Sequence, residues 1–293
     1  MRPVLRYHGG KWKLADWIIS MFPQHRVYVE PFGGAASLLM KKPRSYAEVY
    51  NDQWDTVVNV FRVLRDPDKS EQLKKLLELT PFSRTEFNKA SRRRPKVIGD
   101  VECARQTILR SYAGFGSAST NGEYATGFRC NSNRSRTTPA HDWANYPRHI
   151  AGFVDRLKGV VIENRDAKDV ILQHDGVETL FYVDPPYPHS TRNMQRGNAA
   201  YAVEMTDDDH RELAEVLKGV CGMVVLSGYP CDLYDQELYA GWWRRERQHM
   251  ADGARPRTEV LWLNVAAQIA LSQGEIFAET ERLVTATSKP VLG

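Results

Sequence analysis

The sequence predicts an α/β fold, a sheet of alternating strands and helices interrupted by a second, helical and basic unit. Three observations carry this. Short apolar, β-favouring runs alternate with helical stretches on both sides of a middle segment. That segment, 54–113, is mostly helical in its periodicity. One early strand ends in a glycine-rich turn that feeds a helix and then a second strand ending in an acid, the pattern of a βαβ unit with a ligand-binding turn. The expected division is a sheet domain from 1–55 and 151–293, with the insert over 56–150.

The elements follow in chain order. A loop and a helix over about 11–22 lead to the strand Val27-Tyr28-Val29. The turn Glu30-Pro31-Phe32-Gly33-Gly34-Ala35-Ala36-Ser37 and the helical stretch SLLMKK come next, then the strand Ala47-Glu48-Val49-Tyr50, closed by Asn51-Asp52. Val57, Phe61 and Leu64 share one helical face, and Leu73, Leu76 and Leu77 another. Ser83 and Glu86 fit a capping box, and Val101, Ala104, Ile108 and Tyr112 mark a further helix. Residues 114–138 are rich in Gly, Ser, Thr and Asn and read as hairpin or loop. Strand runs return at 160–162, 179–183, 223–226 and 260–263, and Thr206 opens a helix with an acidic first turn.

With 293 residues, 42% hydrophobic and 26% charged, the chain has the composition of a folded protein, which excludes disordered and fibrous classes. No apolar run approaches the roughly 18 residues of a membrane span, and MRPVLRYHGGKWK lacks a signal-peptide core. A cytoplasmic protein without a membrane partner is expected. Cys103, Cys130, Cys221 and Cys231 have neither CxxC spacing nor nearby histidines, so reduced thiols and no metal are expected. The net charge is +4, but Arg84 to Arg148 holds twelve Lys/Arg against five Asp/Glu, a net of +7 that leaves the remainder at −3. That asymmetry points to a polyanionic partner at the insert.

Three short motifs carry chemistry. In VEPFGGAAS the glycines let a ligand approach the backbone, and Asp52 lies 19 residues after Gly33, where a ribose-binding acid sits in nucleotide-binding units. A plain tight turn fits the same residues, and the absence of a following Lys-Ser/Thr argues against a phosphate loop. Asp184-Pro185-Pro186-Tyr187 ends an apolar strand in a stiff, extended corner, because proline lacks an N–H and pushes the residue before it out of the helical region. An acceptor-only carboxylate, free carbonyls and an aromatic ring suit a planar group that donates hydrogen bonds; a surface turn is the alternative. RYHGGKW at 6–12 and the basic run Arg92-Arg93-Arg94 also fit a terminal turn and a solvated loop.

Together RYHGGKW, VEPFGGAAS, YND, DPPY and a basic helical insert ahead of DPPY make the chain resemble the Dam-type (alpha-class) DNA adenine-specific methyltransferases over roughly residues 4–265. FSRTEFN, NGEYATGF, Ser227-Gly228-Tyr229 and RTEVLWLN support the likeness. The resemblance implies a Rossmann-like S-adenosylmethionine-dependent methyltransferase sheet with an inserted helical target-recognition domain. It implies methyl transfer to the N6 amine of adenine in double-stranded DNA, with the base flipped out of the duplex. Tyr7 and Lys11 would contact S-adenosyl-L-methionine. Glu30, Phe32 and Gly33 would line its methionine end, Asp52 would take the ribose hydroxyls, and Asp166 would lie near the adenine, with Arg165 where relatives carry glycine.

At the target, Asp184, Pro185, Pro186 and Tyr187 would hold the base, with Asp184 also beside the cofactor. Asp184 and the Pro185 carbonyl would accept the amine N–H bonds and Tyr187 would stack on the ring. Arg6, Arg92, Arg93, Arg94, Ser117, Asn121, Arg129, Arg134 and Arg136 would contact DNA, with Arg/Lys on phosphates and side chains on the 114–138 hairpin reading bases. Relatives that read GATC carry Leu-Cys-Arg after Tyr-Asn-Gly; here Tyr112-Ala113-Gly114 is followed by Phe115-Gly116-Ser117, so a recognition sequence other than GATC is expected. A monomer or weak dimer is expected, and a restriction, phage or regulatory setting is left open. The rival readings are a cytosine N4 or RNA adenine methyltransferase and a non-catalytic DNA-binding relative.

Overall fold

A computed structural model describes residues 2–7, 9–91, 99–115, 126–131, 137–191, 203–250 and 256–274. Its strands are β1 (Val27–Glu30), β2 (Ala47–Asn51), β3 (Val160–Glu163), β4 (Thr179–Val183), β5 (Met223–Gly228), β6 (Trp243–Met250) and β7 (Pro256–Leu263). They form one sheet in the order β3-β2-β1-β4-β5-β7-β6. The first five strands are mutually parallel, and β7 and β6 close the edge antiparallel. β4 and β5 are buried along their whole length, as continuous apolar strands covered on both faces must be.

Helix α1 (Ala15–Ser20) precedes β1, α2 (Ser37–Lys41) joins β1 to β2, and helices cover both faces. On one, Tyr28, Leu180, Val225 and Leu261 share a core with Val57 and Phe61 of α3 (Asp55–Arg65), Leu73 of α4 (Pro67–Leu79), Phe87 of α5 (Arg84–Ser91) and Ile108 of α6 (Asp100–Ala113). The helical insert therefore packs directly on the sheet. On the other face, Val29, Phe181 and Val224 pack on Val170 of α7 (Ala167–Gln173) and Leu213 of α8 (Asp207–Gly219). This is the α/β architecture that the alternating strands and helices predict.

A buried ion cluster ties the insert's return to the sheet. Glu48 of β2 accepts both guanidinium nitrogens of Arg156, at 2.6 and 2.9 Å, and the Lys42 ammonium at 2.7 Å. Arg156 sits on the helix Ile150–Leu157, where the chain re-enters the sheet region. Removing one partner strands a buried charge, at a cost of about 3–5 kcal/mol.

Some expectations need correction. The helix expected over about 11–22 is confined to Ala15–Ser20, because Lys11 and the residues after it form turns, with the Leu14 N–H on the Lys11 carbonyl at 2.9 Å. β6 has no apolar run to mark it, and β7 begins four residues before the expected 260; each is held by pairing with the other along its length. The Ser83 hydroxyl accepts the Glu86 N–H at 3.1 Å, but the Glu86 carboxylate bonds Lys89 at 2.9 Å and faces Arg105 at 3.7 Å. The full capping box forms instead between Thr206 and Asp209 at the start of α8. Gly114 and Phe128 form an antiparallel bridge, the base of the expected hairpin; 116–125 and 132–136 lie outside the described residues.

Candidate active site

β1 and β4 lie side by side, with Val29 opposite Phe181, and the chain leaves them in opposite directions, toward β2 and β3 or toward β5. Open α/β sheets bind ligands in the crevice at such a switch point, outside the carboxyl ends of the strands. Glu30 ends β1 and Asp184 follows β4, so both motifs open onto one cavity. Every residue that the resemblance assigns to the cofactor lines that cavity.

The turn after β1 is shaped by its neighbours. Gly34 and Ala36 have φ of 47° and 52°. A Cβ on Gly33 would lie 2.2 Å from the Tyr50 ring, so packing leaves no room for a side chain there. The Tyr50 hydroxyl donates to the Gly34 carbonyl at 2.8 Å. The Asp52 carboxylate accepts the N–H groups of Gly34 and Trp54, each at 2.8 Å, while burial pushes its pKa up. The Tyr7 ring lies against Gly34, and Phe32 adds an apolar wall.

Glu30 is 2% exposed. Its Oε1 accepts the Tyr28 hydroxyl at 2.6 Å and the Leu39 N–H at 2.8 Å, so one N–H from the first turn of the helix Ser37–Lys41 is used by the protein. Burial raises this carboxyl to about 7 despite those bonds. Its Oε2 has no hydrogen bond among the described residues. Asp166 caps α7, accepting the Lys168 N–H at 2.8 Å, and stands exposed at the cavity's lip. Asn51 bonds both the N–H and the carbonyl of Arg165, at 2.9 and 3.1 Å, which fixes the backbone where relatives carry glycine.

The strand end at β4 is wired differently. The Lys11 ammonium, 5% exposed, donates to Asp184 Oδ1 at 2.9 Å, to the Gly9 carbonyl at 2.9 Å and to the Tyr187 hydroxyl at 2.5 Å. The Tyr187 hydroxyl donates in turn to Glu259 Oε1 at 2.6 Å, as does Ser227 Oγ at the same distance. Glu259 lies 3.6 Å from Lys11, so one cation stands between two carboxylates. Burial raises Asp184 to about 6, with Lys11 opposing and Glu259 adding to the rise. Burial acts upward on Glu259 too, but the Lys11 charge and the bonds from its neighbours outweigh it and hold this carboxyl below its ordinary range.

Lys11, assigned to the cofactor by resemblance, thus also serves Asp184. The Tyr187 ring is 4% exposed, packs edge-on against Tyr229 at 4.7 Å and carries Lys11 over one face at 4.8 Å. It is a fixed post more than an open platform. Pro186 lines the cavity, and no hydrogen bond among the described residues reaches the carbonyl of the buried Pro185.

Of the expected DNA contacts, the Arg6 N–H bonds the Ser111 hydroxyl of the insert at 2.6 Å, and the Arg129 guanidinium donates to the Tyr112 carbonyl at 3.1 Å. Arg92, Arg93, Arg94, Ser117, Asn121, Arg134 and Arg136 lie outside the described residues. Sequence reasoning missed Trp54, Leu213 and Glu259. The signal for Glu259 was present: it alternates with Leu261 and Leu263, so its carboxylate had to point inward with them.

No helix among the described residues is long and apolar enough to cross a membrane, and none of their acidic, histidine or cysteine side chains cluster as a metal site. A comparison with curated proteins finds no match. A family model described as D12 class N6 adenine-specific DNA methyltransferase matches residues 7–251, from Tyr7 through the glycine turn, the insert and Asp184 to Tyr187. With a partly buried carboxylate, two prolines and a tyrosine at the switch point and a match over most of its length, the chain belongs to the D12 class of N6 adenine-specific DNA methyltransferases.

Proposed function

We propose that the chain methylates an adenine flipped out of duplex DNA, holding the amine between the Asp184 carboxylate and the Pro185 carbonyl. The reaction of its family is methyl transfer from S-adenosylmethionine to N6 of adenine in DNA. The observation that carries the residue assignment is the meeting of Glu30 and Asp184 on one cavity at the switch point.

The cavity's chemistry fits the cofactor. Glu30 offers an open carboxylate oxygen to an ammonium, and Asp52 has lone pairs left for ribose hydroxyls. Phe32 and Leu213 supply apolar wall, and Asp166 an acceptor at the lip. S-adenosylmethionine supplies a methyl group already activated by its sulfonium charge.

The protein's part is position and electrostatics. The lone pair of the adenine amine is delocalised into the ring. Two acceptors on its N–H bonds orient the nitrogen and favour a tetrahedral lone pair. Lys11 yields Asp184 to the base by leaning on Glu259, which stays anionic and holds Tyr187 in place. As the amine takes the methyl group, the carbon–sulfur pair would leave with the sulfur as a neutral thioether, and the nitrogen becomes cationic. One N–H pair then returns to nitrogen and its proton passes to Asp184, whose carboxyl near 6 releases it to water.

The insert, 56–150, serves target recognition, which its net positive charge supports. Labelled S-adenosylmethionine with mixed-sequence duplex DNA tests the reading. Label on adenine at one short motif other than GATC, lost in Asp184→Ala, is expected. Label on cytosine, transfer to RNA alone, or full activity of the variant would overturn it.

A further inference from the structure

We propose that the β6–β7 ribbon is a second DNA-backbone surface, built by the sheet rather than the insert, in which Arg245, Arg247 and Arg257 meet phosphates beside the flipped base. The register places the ribbon. β5 ends at Gly228, opposite Val260, so residues 256–259 of β7 and their partners 247–250 of β6 continue past the sheet's carboxyl edge. At about 3.4 Å per residue they project roughly 13 Å beyond it, on the side where Asp184 lies.

Alternation then sorts the ribbon's charges. Glu259 bonds Tyr187, so the face holding Glu259 is the one turned to the target site. Cross-strand pairing puts Arg257 with His249, and Arg247 with Glu259, on that face; Arg245 follows two residues from Arg247. None of these three arginines has a carboxylate within ion-pair distance among the described residues. Arg244, on the opposite face, bonds Asp235 at 3.0 Å and Glu246 at 2.7 Å. One face is neutralised and the other is left positive.

Aromatic rings support the positive face. Arg245 lies 3.5 Å from the Trp243 ring centre, Arg247 6.0 Å from Trp17, and Arg257 5.5 Å from Tyr229, which packs on Tyr187. The Trp243 ring orients the Arg245 guanidinium by stacking and leaves its edge donors for phosphate oxygens, and the rings near Arg247 and Arg257 lie within cation–π reach. The same face of the sheet carries the insert, since Leu261 and Leu263 share a core with Val57 and Phe61. A duplex held by the insert thus passes the ribbon on its way across the site.

The test measures binding of a fluorescent mixed-sequence duplex over a salt series. The full chain is compared with R245A/R247A/R257A, R245K/R247K/R257K and R244A. Each lost phosphate contact lowers the slope of log K against log salt by about 0.9. The alanine triple is expected to lose about 2–3 in slope and at least about tenfold in affinity at low salt, keeping its S-adenosylmethionine affinity. The lysine triple keeps the slope and R244A changes neither quantity. If the alanine triple also loses cofactor affinity, R245A alone carries the test, with an expected slope loss of about 0.9. Native slope in the alanine variants, or an equal loss in R244A, overturns the ribbon while leaving the insert's role intact. Failure of the native chain to bind duplex overturns both.

Discussion

Glu30 and Asp184 are both carboxylates at the ends of neighbouring parallel strands, open on the same cavity, and burial lifts both, to about 7 and about 6. Their partners differ in kind. Glu30 is held by neutral donors, a tyrosine hydroxyl and a backbone N–H, and keeps one oxygen open. Asp184 is held by a lysine that a second carboxylate also attracts. The first arrangement suits the capture of a cation. The second keeps an anion ready until a neutral donor displaces the cation beside it. Two carboxylates both raised by burial thus suit different steps because of what neutralises each.

The largest effect is expected at Asp184. Asp184→Asn removes the anion but keeps the shape, and should lower kcat by about 10²–10³ while cofactor affinity stays within a few-fold. A rate within tenfold of native would end the assignment.

Glu30→Gln should weaken S-adenosylmethionine binding between about tenfold and a hundredfold, the size of a hydrogen bond to a charged group at roughly 1.5–3 kcal/mol. The sign of the pH effect follows from the raised carboxyl. Below about 7 Glu30 takes a proton and loses its charge, so native affinity should fall with pH and binding should release a proton there. Calorimetry in buffers of different ionisation enthalpy reads that proton, and the Gln variant should release none at this site.

Glu259→Gln sharpens the other half. Removing this anion leaves Lys11 to Asp184 alone, and both changes lower the Asp184 pKa. The native kcat/KM should fall below about pH 6 as Asp184 protonates. In the variant that acid limb should move to lower pH while kcat drops by about tenfold. A purely structural role would lower the rate without moving the limb. The smallest effect is expected at Gly33→Ala, where a Cβ would meet the Tyr50 ring. About 1–3 kcal/mol of stability should be lost, measured by thermal unfolding. An unchanged Tm would show that the turn yields easily.

Much of the fold was legible because its strands advertise themselves. The runs at 179–183 and 223–226 are apolar without interruption, as buried parallel strands must be. β6 was illegible for the opposite reason. WRRERQHM is an edge strand of mostly exposed, polar residues, and pairing with β7 rather than an apolar run defines it. At the site, Asp52 and Asp184 stood out through glycine and proline, and Glu30 through the resemblance. For Glu259 only the inward direction was legible, because its partners Tyr187, Ser227 and Lys11 are 72, 32 and 248 residues away along the chain.

By itself the sequence determined the local chemistry: a strand that must stop at two prolines, a turn that needs glycine, a helical segment that carries the excess positive charge. Only the tertiary structure decided what each carboxylate would face. Burial, the proximity of Lys11 to both Asp184 and Glu259, and the separation of the ion-paired Arg244 from Arg245, Arg247 and Arg257 on the ribbon depend on strand order and register. Those are set by the packing of the whole sheet, so no short stretch of the chain contains them.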